Sequence, residues 1–277
     1  MEKTRRLFCE MGPWAYWLSM KKCRFVRRVQ DMFSGVRFSR HRRCEPLPVV
    51  VYAHKSLIRR TLGTVDQKLQ ENKAVNLSLA APRVNGVLIR PGETFSFWRM
   101  VGPCTARRGY LPGLTISKGE TACGVGGGMC QFTNLLHWMV LHTPLTVIEK
   151  HPHLVISLPA NPNAEMPAGI DATIQEGWSD LKFRNDTDQP FQLILDFDED
   201  SVHAQFRCAQ PPRCRYEVTG SALTYSRKKG QIFRTQDIAR TIYDAHSGEL
   251  VRKEACYTSR SRIDYPLPPE TEIIEED

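Results

Sequence analysis

Four residues of three chemically capable types fall within about forty positions of one another: Cys130, His151, His153 and Asp171. Cys130 follows three consecutive glycines, Gly126, Gly127 and Gly128. It also opens a run in which Phe132, Leu135, Leu136, Met139 and Val140 recur at helical spacing. That spacing predicts a helix over 130–142, stopped by Thr143-Pro144. A thiol at a helix N-terminus meets unpaired backbone N–H groups and the positive end of the helix dipole, and both favour the thiolate. Glycine triplets cost conformational entropy and permit close backbone approach. In an acyl-transfer site Cys130 is the nucleophile, His151 or His153 its base, and Asp171 the group that orients the base. Gln131 or the backbone amides of 126–128 would then stabilise the oxyanion. The order Cys, His, acid is that of papain-like and transglutaminase-like enzymes, although triads recur in many orders.

The same residues admit other readings. Free cysteines commonly serve as small packing groups. Cys130, His151 and His153 form a Cys/His/His set of the kind that holds catalytic zinc, but without a CxxC or HExxH to support it. Glu93, in PGETFSF, could face Asp171 as the second carboxylate of a sugar-cleaving pair. A non-catalytic alternative uses the glycine loop to hold a carboxylate or pyrophosphate, with Arg83, Arg90 or Lys182 supplying charge. The block GVGGGMC lacks both the Lys-Ser/Thr of a P-loop and the spacing of GxGxxG, so no organic cofactor is expected, nor a resident metal.

These residues must be held by a mixed scaffold. Leu57, Ile58, Leu62, Val65 and Leu69 predict a helix from 56 to about 81, ended by Pro82. Short strands are expected at 87–89, 94–97, 146–148 and 154–156, and another beginning at Asp171. Residues 181–183 and 191–197 read as a hairpin, and 102–128 as a long glycine-punctuated loop. Beyond 205 the chain reads as β, with a turn at His246-Ser247-Gly248. The fold class is α+β: a helix-plus-sheet core with a glycine-rich loop entering a helix, and a β-rich C-terminal part. The expected division is a basic extension over 1–46, a core over 47–207 and a β-rich region with an acidic tail over 208–277.

Charge agrees with that division. The chain of 277 residues carries a net charge of +8, and residues 1–46 alone hold 12 Lys and Arg against 4 Asp and Glu. The body is therefore neutral, which argues against nucleic acid as a partner. In the extension, Trp14, Trp17, Leu18, Phe25 and Val26 interleave with Lys21, Lys22, Arg24, Arg27 and Arg28. This suits either a helix on an anionic membrane surface or one docked on the body. No stretch has the length of a membrane span or the form of a signal peptide, so a cytoplasmic location, peripheral on the inner membrane face, is expected. The nine cysteines are then expected as thiols.

The blocks NGVLIRPGETFSFW (85–98), GGGMCQFTNLLHW (126–138), LHTPLTVIEKHPH (141–153) and AGIDATIQEGWSDLKFRNDT (168–187) resemble the VanW family. The resemblance runs from about Glu71 onward and more loosely over the basic N-terminus. Lys150 stands where the family commonly has Arg, and Leu154 where many members have Ser. The resemblance implies a link to glycopeptide (vancomycin) resistance and cell-wall metabolism. It also implies peptidoglycan fragments or lipid-linked precursors as the ligand class.

Overall fold

In the computed structural model, residues 8–58, 67–117, 120–157, 159 and 165–276 are described. Along the chain run α1 (Pro13–Phe33), β1 (Arg37–Phe38), β2 (Val49–Leu57), α2 (Gln67–Val84), β3 (Val87–Ile89), β4 (Glu93–Ser96) and α3 (Phe97–Val101). Next come β5 (Pro112–Ser117), β6 (Glu120–Val125), α4 (Met129–Leu141), β7 (Thr146–Glu149) and β8 (Val155–Ile156). The rest is β: β9 (Lys182–Arg184), β10 (Phe191–Phe197), β11 (Ser201–Cys208), β12 (Cys214–Gly220), β13 (Thr224–Lys228), β14 (Gln231–Asp244), β15 (Leu250–Ile263) and β16 (Ile273–Glu275). The protein is α+β. No helix among the described residues is long and apolar enough to cross a membrane.

Two four-stranded sheets, ordered β1-β4-β9-β7 and β2-β11-β10-β3, build the core with α2 and α4. Helix α2 buries Leu77, Ala80, Ala81 and Val84, and α4 buries Phe132, Leu135, Leu136 and Met139, all at helical spacing. They meet Phe191, Leu193 and Phe206 from the sheet in one apolar cluster. A third sheet, β16-β13-β14-β15-β8 with β12 on β14, packs on the other side of α4 through Trp138, Leu141, Ile170 and Ile238.

Several expectations change. Residues 49–57 are a strand, because the Val49-Val50-Val51 run favours extended backbone. Leu62 and Val65 lie outside the described residues, and the helix runs from Gln67 to Val84 with Pro82 inside its last turn. Part of the expected glycine loop is the hairpin β5-β6. β9 and β10 do not pair with each other; β9 lies between β4 and β7, and β10 between β11 and β3. Nor is the basic extension separate from the body throughout. β1 pairs with β4, the Ser39 N–H bonds to Thr94 O, and Arg43 N–H to Gly86 O.

Candidate active site

Helix α4 sets the geometry. Cys130 is its second residue, so its N–H and that of Met129 belong to the first turn, where no preceding helical carbonyl accepts them. Further along, Thr133 Oγ1 donates to Ala172 O (2.6 Å), Asn134 Oδ1 accepts from Ala172 N–H (2.7 Å), and His137 Nδ1 bonds Ile170 O (2.7 Å). One polar stripe of α4, positions i, i+3, i+4 and i+7 from the cysteine, therefore grips the backbone of 170–172 and brings Asp171 alongside.

Asp171 does not open a strand. It follows a single 3₁₀ turn, Ala168–Ile170, in an extended, unpaired segment. Its Oδ2 accepts two bonds from one residue, the His153 backbone N–H at 2.6 Å and ring Nδ1 at 2.8 Å. With Nδ1 committed, Nε2 is the ring nitrogen left for the Cys130 thiol, whose titration His153 lowers. Thr173 Oγ1 lies 3.6 Å from the sulfur, and the Ile174 amide also supports it. The third sheet braces the loop: Ser261 Oγ donates to His153 O (2.6 Å), and Gln236 Oε1 accepts from Gly169 N–H (2.8 Å).

Electrostatics favour charge separation across this chain. Burial pushes the Cys130 thiol up, but the bond to His153 and the imidazolium charge outweigh it, so the net shift is downward. Burial disfavours the His153 cation, yet Asp171 and the thiolate raise it to about 10. Asp171 is likewise penalised by burial and brought below the usual carboxylate range by His153. These opposite shifts favour a thiolate–imidazolium pair backed by a carboxylate. Nearby, burial lowers His137 to about 4, so it stays neutral as an anchor.

The other candidate residues lie elsewhere. His151 turns away, with Nε2 3.2 Å from Glu149 Oε1 and 45% of its side chain exposed, while its backbone carbonyl accepts from Thr173 N–H. Pro152 breaks the alternation that would have put both histidines on one face. Gln131 Nε2 donates to Leu57 O and Ser56 Oγ, tying α4 to β2 instead of facing the thiol. The amides of Gly126, Gly127 and Gly128 already donate to Leu111, Gly124 and Leu114 carbonyls, so they supply no oxyanion or anion donors. The triplet serves packing: a Cβ on Gly127 would stand 2.2 Å from the Gly113 carbonyl carbon, and Gly128 caps α4 at φ +93°. Glu93 is buried, accepts the Arg90 N–H at 3.0 Å, and closes its own turn. Among the described residues no group of three His, Cys, Asp or Glu could hold a metal, which removes the zinc set. Thr133, Asn134, Thr173 and His137 are the positioning residues that sequence reasoning missed. For Thr133, Asn134 and His137 the only signal was helical spacing from Cys130; Thr173 carried none.

The model for VanW-like proteins matches residues 72–207. The chain is 42% identical over 210 residues, 76% of each sequence, to the vancomycin B-type resistance protein VanW of Enterococcus faecalis. It belongs to the VanW family. It is also 36% identical over 123 residues to the uncharacterized protein YoaR of Bacillus subtilis, covering 44% of this chain and 39% of that one. No solved structure matches. The family match contains Cys130, His153 and Asp171 but stops before the strands that brace them.

Proposed function

We propose that this VanW-family chain is a cysteine-dependent amide hydrolase or acyl transferase acting on wall peptides or their lipid-linked precursors. The observation that carries the reading is the Asp171–His153 bond beside the helix-start Cys130, whose thiol His153 lowers. The substrate class rests on the relative's name, which ties that protein to vancomycin resistance. The Cys130 thiolate attacks the amide carbonyl, forming a C–S bond. The His153 imidazolium gives its proton to the departing amine as the C–N bond breaks. Water or an acceptor amine, deprotonated by His153, then displaces the thiol from the thioester. The first-turn amides of α4, those of Met129 and Cys130, are the donors positioned for the oxyanion. The non-catalytic alternative put an anion on the 126–128 amides, and those are already occupied.

We also place the protein at an anionic membrane surface. Helix α1 docks through its charges, Arg24 to Glu176 at 2.6 Å and Asp31 to Lys182 at 2.8 Å. It turns Trp14, Trp17, Phe25 and Phe33 outward, each at least 60% exposed.

Incubation with purified stem-peptide fragments, followed by intact-protein mass spectrometry, tests the chemistry. The expected result is released product and an acyl adduct that maps to Cys130 and is absent in Cys130→Ser. Undiminished turnover by Cys130→Ser overturns the proposal.

A further inference from the structure

A second site lies away from the cysteine, between the segment after α1, the end of α2 and α3. A pocket of about 290 Å³ is lined by Ser39, Arg40, Arg42, Arg83, Arg99 and Met100. Four arginines thus line one small space, and no carboxylate does. The side chains of Arg40 and Arg83 show no ion pair or hydrogen bond among the described residues, and that of Arg42 donates only to the Pro82 carbonyl. Arg99 is partly engaged, donating to Asp31 Oδ2 at 3.5 Å and lying 4.1 Å over the Phe38 ring. Clustered like charges repel, so an anion in the pocket is favoured. Ser39 gives the second, independent sign: it is 3% exposed and its hydroxyl has no hydrogen-bond partner. A buried polar group without a partner is costly unless a ligand or water satisfies it.

The pocket opens into a larger groove of about 820 Å³ that shares Arg40 and Arg99 with it and lies beneath α1. Two of the groove's carboxylates are turned into the fold. Asp180 accepts from Ser96 Oγ and Trp98 N–H, and Glu93 from Arg90 N–H. Arg28 and Arg37 line the groove without ion pairs among the described residues, while Trp98 and Trp178 supply apolar wall. The groove runs to residues 176–180, just past the Thr173-Ile174 pair that flanks the Cys130 sulfur.

We infer that the Ser39/Arg40/Arg42/Arg83/Arg99 pocket binds a phosphate-bearing ligand, best a diphosphate group, whose remainder lies along the groove under α1. Arginine suits this because its planar fork meets two phosphate oxygens at once and stays charged. The volume, at the small end of ligand pockets, fits a headgroup rather than a whole molecule. The site stands independently of the cysteine chemistry.

Titration calorimetry of the full chain with inorganic pyrophosphate, and in a second arm with farnesyl diphosphate, tests it. Arg40→Gln and Arg83→Gln alter exposed residues that hold nothing else together, so their fold is retained. The expected result is one saturable site, weakened at least about tenfold by either substitution. Cys130 alkylation should stay unchanged in both variants. Farnesyl diphosphate binding more tightly than pyrophosphate supports a lipid-linked ligand. Equal affinities support a soluble diphosphate in the same site. Absence of saturable binding in both arms, or binding unaffected by both substitutions, overturns the inference.

Discussion

Asp171 spends one carboxylate oxygen on two donors of His153, the ring and the backbone, so it fixes both the tautomer and the position of the imidazole. Asp171→Asn replaces a charge with a neutral amide and removes support for the imidazolium. Thiolate-dependent rates at neutral pH should fall by about 10²–10⁴. His151→Ala, two positions from His153, should leave them near wild type and shift stability by no more than about 0.5 kcal/mol. Paired rate measurements on the two variants check this contrast. The cysteine and the acid were legible from their types and from the helix-start signal at Gly128-Met129-Cys130. The choice of histidine was not. Pro152 and the irregular backbone at 150–153 remove the period-two rule that would have decided between His151 and His153.

At the scale of elements, α4 was legible almost to the residue, since it runs from Met129 to Leu141 and buries the five apolar residues that announced it. The glycine triplet before it was visible but its purpose was not. Gly127 meets the backbone of Gly113, a contact that exists only because β5 and β6 form a hairpin. Gly127→Ala should therefore cost about 1–3 kcal/mol in denaturant unfolding, through strain at that crossing. The strand expected from Asp171 failed for a related reason. Its backbone groups at 172 are taken by Thr133 and Asn134 side chains, not by a neighbouring strand. Helix α1 was legible as amphipathic, but not which face would dock. It presents charge to the body and aromatics to solvent. The substitutions Trp14→Ser, Trp17→Ser and Phe25→Ser together should abolish co-sedimentation with phosphatidylglycerol vesicles while leaving the fold intact. Unchanged sedimentation would refute the membrane placement.

For the whole molecule, the third sheet braces the site through Ser261 and Gln236, and pH reads the Cys130–His153 pair within it. Unfolded thiol and imidazole titrate near about 8.5 and 6.5. In the fold the thiol lies lower and His153 at about 10. With Cys130 held as the proposed thiolate, both states carry one proton over the pair between the two unfolded values, so the contribution to stability is level there. Below about 6.5 the unfolded histidine takes up a second proton and the contribution falls as pH drops. Above about 8.5 the unfolded cysteine loses its proton while His153 holds on, and the contribution falls as pH rises toward about 10. Wild type minus a Cys130→Ser/His153→Ala double variant, compared by denaturant unfolding across pH, should trace that plateau. The sequence disclosed the α+β class and the β-rich C-terminal region. It could not disclose that Gln236 and Ser261 of that region hold Gly169 and His153, because contacts so distant along the chain leave no local pattern.

The central claim is that Cys130 rests as a thiolate paired with His153. Iodoacetamide alkylation rates at Cys130 of the folded chain, followed by mass spectrometry across pH, test it most directly. The account predicts fast labelling with an apparent pKa well below the roughly 8.5 of a free thiol, restored toward that value in His153→Ala and unmoved in His151→Ala. A Cys130 that titrates as an ordinary thiol, or that labels only after unfolding, would contradict it.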